Sequence, residues 1–92
     1  MGHDWTLLGL HFEWGSRNVK IDVLTPGGSR KIEGRSVVHI SVPAELTWGP
    51  SSSILNLEVV KRLGSENLDL LIQMQSGDLI QIIGSDFELP PQ

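Results

Sequence analysis

The stretch Gln73-Met74-Gln75-Ser76-Gly77-Asp78-Leu79-Ile80-Gln81 is a β-hairpin written in residue types. An apolar-alternating run enters it from Leu68, Ser-Gly turns it, and a second run leaves it to Ile83. Two loop lengths compete. A two-residue loop, Ser76-Gly77, sets Ile72 against Gln81 and Gln73 against Ile80. A three-residue loop, Gln75-Ser76-Gly77 with Gly77 in a left-handed G1 bulge, pairs Ile72 with Ile80 and Leu70 with Ile82. Only the second gathers Leu70, Ile72, Met74, Ile80 and Ile82 on one face and puts Gln73 with Gln81 on the other. The three-residue form is therefore expected, with a positive φ at Gly77.

The same reasoning applies at the start of the chain. Leu8, Leu10 and Phe12 alternate with Gly9, His11 and Glu13, the period of a half-buried strand. A turn at Gly15-Ser16 pairs Phe12 with Val19 and Leu10 with Ile21, keeping Leu8 and Val23 on the same inner face. A slip of one residue would carry Val19, Ile21 and Val23 to the polar side. Trp14 then falls on the apolar face and is expected in the core. Pro26-Gly27-Gly28-Ser29 forms the next turn, because Pro presets φ and Gly permits positive φ. A short polar strand, Arg30 to Glu33, returns from it with Ile32 as its anchor, and Gly34 breaks the chain.

Ser36 to Val42 forms a further strand, with Val38, Ile40 and Val42 on one face and Val37, His39 and Ser41 on the other. Pro43, which cannot donate to a ladder, ends it. Trp48-Gly49-Pro50-Ser51-Ser52-Ser53 reads as a loop. Ile54 to Leu63 could form a helix after a serine cap. However, Leu55, Leu57 and Val59 alternate with Asn56 and Glu58, and Val59-Val60 favours extension, so a strand is chosen. Gly64-Ser65-Glu66-Asn67 and Gly84-Ser85-Asp86 are turns, and Phe87-Glu88-Leu89 adds a last short strand. Seven or eight short strands joined by short turns indicate an all-β fold, either an antiparallel sandwich or a partly open barrel. One domain over 1–92, ordered from about 5 to 89, accounts for the whole length.

Composition narrows function by exclusion. Only 7 Lys and Arg against 11 Asp and Glu, for a net charge of −4, do not provide the clustered cations that neutralise nucleic-acid phosphates. The absence of cysteine rules out disulfides, zinc-thiolate sites and thiol catalysis. No apolar run is long enough for a membrane helix and the start lacks a signal-peptide pattern, so a cytoplasmic location is expected.

Chemistry is hard to assemble from what remains. Ser51, Ser52 and Ser53 could serve as nucleophiles, His11 or His39 as a base, and Asp22 or Asp78 as an orienting group. No nucleophile-elbow pattern joins them, and the histidines lack the spacing of a metal pair. No catalytic residue, metal or cofactor is expected. Trp5, Trp14 and Trp48 are three of five aromatics. Trp48, beside its Gly-Pro-Ser loop, either caps the core or anchors a partner.

Two elements, Trp48-Gly49-Pro50-Ser51 with Ser53-Ile54 and Met74-Gln75-Ser76-Gly77-Asp78 with Ile80, resemble a group of small bacterial proteins that carry W-G-P-S-x-S-I and M-Q-S-G-D-x-I elements but have no assigned activity. The resemblance covers roughly residues 35 to 83 and implies no functional residue. In size and all-β character the chain is also similar to immunity proteins that neutralise toxins, a likeness at fold level alone. The expected function is a non-catalytic protein-interaction domain, immunity-like, acting on another protein or on itself through a strand edge. The alternative is a small-ligand or carbohydrate-binding module using Trp48. Trp48, Ser51, Ser53, Gln73, Asp78 and Gln81 are the candidate binding residues under either reading.

Overall fold

A computed structural model describes residues 5–43 and 53–90. Eight strands succeed one another: β1 (Thr6–Glu13), β2 (Asn18–Thr25), β3 (Gly28–Arg35), β4 (His39–Ser41), β5 (Ile54–Lys61), β6 (Leu68–Met74), β7 (Leu79–Gly84) and β8 (Asp86–Glu88). They form two antiparallel four-stranded sheets, ordered β1-β2-β3-β8 and β4-β7-β6-β5, which do not close into a barrel. Their inner faces meet in one sandwich-like core. Val19, Ile21, Val23 and Ile32 come from the first sheet, and Ile54, Leu57, Leu70, Ile72, Ile80 and Ile82 from the second. Burying side chains of this size stabilises by about 1.5–3 kcal/mol each, and that gain fixes both hairpin registers.

The hairpin of β6 and β7 has the expected form. Ile72 pairs with Ile80 and Leu70 with Ile82, while Gly77 takes φ 101°. The Gly77 amide donates to the Met74 carbonyl at 3.0 Å and the Met74 amide to the Asp78 carbonyl at 2.9 Å, closing the three-residue turn. The ambiguous run 54–63 is a strand from Ile54 to Lys61. Leu10 faces Ile21 and Phe12 faces Val19, as the alternation requires.

Four local readings are corrected. Trp14 is not in the core but 74% exposed. The β1–β2 loop spans four residues, Trp14 to Arg17, so Trp14 lies beyond the last ladder pair, Glu13 with Asn18. Leu8 turns outward, at 55% exposed, because a β-bulge between Leu7 and Gly9 shifts the register and sets Leu7 opposite Val23. A second bulge, between Ile54 and Asn56, likewise buries Ile54 and exposes Leu55. Third, Gly34 does not break the chain. It is a buried residue of β3 against which Phe87 packs, and a Cβ there would stand 2.7 Å from the Phe87 ring. Fourth, the 36–42 segment is not a strand over its whole length. Ser36 takes φ 51°, a left-handed kink that turns Val37 into the core and leaves Val38 outside. Regular pairing there is confined to His39–Ser41.

Backbone bonds stitch the two sheets together at both ends. At one, the Ile54 amide donates to the Trp5 carbonyl and Thr6 bridges Ser53. At the other, Val37 donates to Arg17, Val38 to Ile83, and Ser85 to Arg35. β3 has β2 on one side and β8 on the other, and β8 pairs with Glu33, Gly34 and Arg35.

Candidate functional site

Of the six candidate residues from the sequence, the four that the structure describes do not converge. Trp48 and Ser51 lie outside the described residues. Ser53 and Asp78 sit at the same end of the second sheet, where the Ser53 carbonyl accepts the Gln75 amide at 3.0 Å. Asp78 is buried and folded onto its own turn. Its Oδ2 accepts the Ser76 hydroxyl at 2.9 Å and its amide donates to the same Oγ at 3.3 Å. Gln73 and Gln81 share the outer face of β6 and β7 instead, on diagonally adjacent ladder pairs, Gln73 with Leu79 and Leu71 with Gln81. Gln81 Nε2 donates to Asp69 Oδ2 at 3.4 Å.

His11 and His39 are also apart. His11 is exposed on β1 opposite Lys20, in the first sheet, and His39 is exposed on β4 opposite Ile83, in the second. Among the described residues, no three of His, Asp and Glu gather as metal ligands would. No helix among them is long and apolar enough to cross a membrane.

Two features that the sequence reading missed stand out. The first is at the β1–β2 turn. Trp14 packs edge-on against Phe12, with centroids 5.7 Å apart and planes at 89°, and the Arg17 guanidinium lies 5.2 Å from the Trp14 ring centre. Arg17 holds φ 61°, a conformation that costs a residue with a Cβ about 1–2 kcal/mol. Two bonds maintain it: its amide donates to the Glu13 carbonyl at 2.9 Å, and its carbonyl accepts the Val37 amide at 2.8 Å. The strained residue thus fixes an exposed indole between a ring edge and a cation. The pattern Trp-Gly-Ser-Arg at a hairpin tip was the available signal, but counting Trp14 as a ladder residue hid it.

The second is a hollow of about 240 Å³ on the outer face of the first sheet, lined by Leu8, Asp22, Ser29, Arg30 and Lys31. The β1 bulge makes it by turning Leu8 outward, a common use of bulges beside binding sites. Lys31 Nζ stands 3.8 Å from Asp22 Oδ1. Arg30 Nη1 donates to the Ser29 carbonyl at 2.9 Å and meets no carboxylate among the described residues. Farther along the same face the charge reverses. Arg35 binds Asp86 and Glu88 at 3.0 Å each, with Glu33 at 3.8 Å. The hydrogen bond that Arg35 donates to the Glu88 carboxylate is the chief cause raising the arginine's pKa above its ordinary value. Comparison with known protein families, curated proteins and solved structures finds no match.

Proposed function

We propose that the chain is a non-catalytic protein-interaction domain whose primary anchor is Trp14. The carrying observation is an indole left 74% exposed yet held in one orientation by Phe12, Arg17 and the strained Arg17 backbone. Tryptophan and arginine dominate binding hot spots, and an anchor already ordered in the free protein avoids about 0.5–1.5 kcal/mol of side-chain ordering on association. A residue with no binding role would not need an energetically costly turn to present it. The resemblance of the two sequence elements to those of small bacterial proteins, and the likeness in size and all-β character to toxin-immunity proteins, support a bacterial, immunity-like setting. The separation of His11, in the first sheet, from His39, in the second, supports the non-catalytic part of the reading.

The test is affinity capture from the organism that encodes the chain, using the wild-type protein and Trp14→Ala side by side. A specific, saturable partner that the variant loses, with its thermal midpoint still well within the folded range, supports the proposal. A partner bound equally by both proteins refutes the anchor. No saturable partner and no self-association refutes the function.

A further inference from the structure

The backbone at residue 17 suits a residue other than arginine. Its φ of 61° is one that glycine or asparagine adopts with least strain. What the arginine adds is its guanidinium, laid 5.2 Å from the centre of the Trp14 ring. The chain has four arginines, and the other three are engaged by oxygen. Arg35 and Arg62 hold carboxylates, and Arg30 donates to the Ser29 carbonyl. Arg17 alone, among the described residues, has a ring against its guanidinium and no oxygen acceptor. Glu13, four residues back and exposed, gives Arg17 its backbone carbonyl and not its carboxylate. A cation ordered on an exposed indole is thus left with its donors unused by the fold.

We infer that Trp14 and Arg17 together take an acidic side chain of a partner protein that has an apolar neighbour, the carboxylate on the guanidinium and the apolar group on the indole. The inference rests on the Trp14 anchor proposed above and adds the chemistry that the anchor reads. A guanidinium stacked on an aromatic ring keeps its planar fork of N–H donors for a carboxylate, a geometry that lysine does not offer. Stacking also orders the side chain before the partner arrives, so less freedom is lost for each bond formed. A cationic partner group is disfavoured, because Arg17 already answers the ring quadrupole and repels a second cation. A second copy joined turn to turn is disfavoured in the same way, since it sets Arg17 against its like. The net charge of −4 does not oppose an acidic partner at this turn. Asp86 and Glu88 lie on β8, two strands beyond β2, at least about 10 Å away at the usual strand spacing and past one Debye length of about 8 Å.

The experiment titrates the full, isotopically labelled chain with an acetylated and amidated pentapeptide of alternating leucine and glutamate, and with its glutamine and lysine counterparts. The readouts are the Trp14 indole N–H and the Arg17 Nε–H resonances. The glutamate peptide shifts both saturably. The glutamine peptide binds about three- to fivefold more weakly, as loss of one exposed charge pair predicts, and the lysine peptide more weakly still. Arg17→Gln lowers affinity for the glutamate peptide to that for the glutamine peptide and leaves the latter unchanged, which assigns the difference to one pair. Glutamine is no more strained at this φ than arginine, so the thermal midpoint of the variant stays close to that of the wild type. Arg30→Gln removes the same charge elsewhere and leaves all three affinities unchanged. Four results overturn the inference: equal binding of the glutamate and glutamine peptides, an Arg17→Gln effect that Arg30→Gln matches, preference for the lysine peptide, or no saturable shift at Trp14 and Arg17. Equal binding that Trp14→Ala still abolishes removes the acidic partner and leaves the anchor standing, whereas binding that Trp14→Ala leaves intact removes both.

Discussion

Gly84 closes β7 where the chain leaves one sheet for the other, and its replacement by alanine offers a sharp test of how the sheets are joined. A Cβ at residue 84 would stand 2.8 Å from the Arg35 carbonyl oxygen and 3.4 Å from both Cα and Cγ2 of Val37. The first contact is with backbone, which cannot swing aside as a side-chain tip can. That carbonyl is also held in place, accepting the Ser85 amide at 2.9 Å and the Ser85 hydroxyl at 3.1 Å. Relief requires the crossover to move by several tenths of an ångström, with overpacking and at least one weakened hydrogen bond. The expected cost is about 2–4 kcal/mol. For a domain of this size that corresponds to a fall in midpoint of roughly 10–25 °C. Total stability should be about 5–14 kcal/mol, so the variant remains measurable. Urea unfolding monitored by fluorescence of the buried Trp5 is a suitable assay. Gly9→Ala is the internal control, since nothing lies within 4 Å of a Cβ there, and should change stability by less than about 0.5 kcal/mol. Equal effects of the two substitutions would refute the close crossover.

Gly77→Ala should cost about 1–3 kcal/mol through strain at φ 101°, read by urea unfolding together with faster amide exchange at Met74. An unchanged midpoint would mean that the hairpin is not closed by a bulged glycine. Val37→Ala should lose about 2 kcal/mol and Val38→Ala less than about 0.5, because the first is 2% and the second 63% exposed. Thermal unfolding of the two variants decides the matter, and the reverse order would restore the facing that simple alternation implies.

Period two, sustained over several residues, made most of the fold legible in the sequence. The β6–β7 register came from Leu70, Ile72, Ile80 and Ile82, because only one loop length buries all four, and the glycine required for that loop stands at residue 77. The register of β1 against β2 came in the same way from Val19 and Ile21. Hidden from such patterns were single residues that reset the phase. Bulges at Leu7/Gly9 and Ile54/Asn56 shift the facing of the neighbouring side chains, and a left-handed Ser36 precedes Val37 at its entry to the core; none of these is announced by its own residue type. Ser36 and Arg17 are not residues that announce positive φ. Gly34 misled for the opposite reason: it is there to admit the Phe87 ring from a strand some fifty residues later, not to end a strand. The candidate site was less legible than the fold, since side-chain exposure at a hairpin tip depends on the loop being four residues long rather than two.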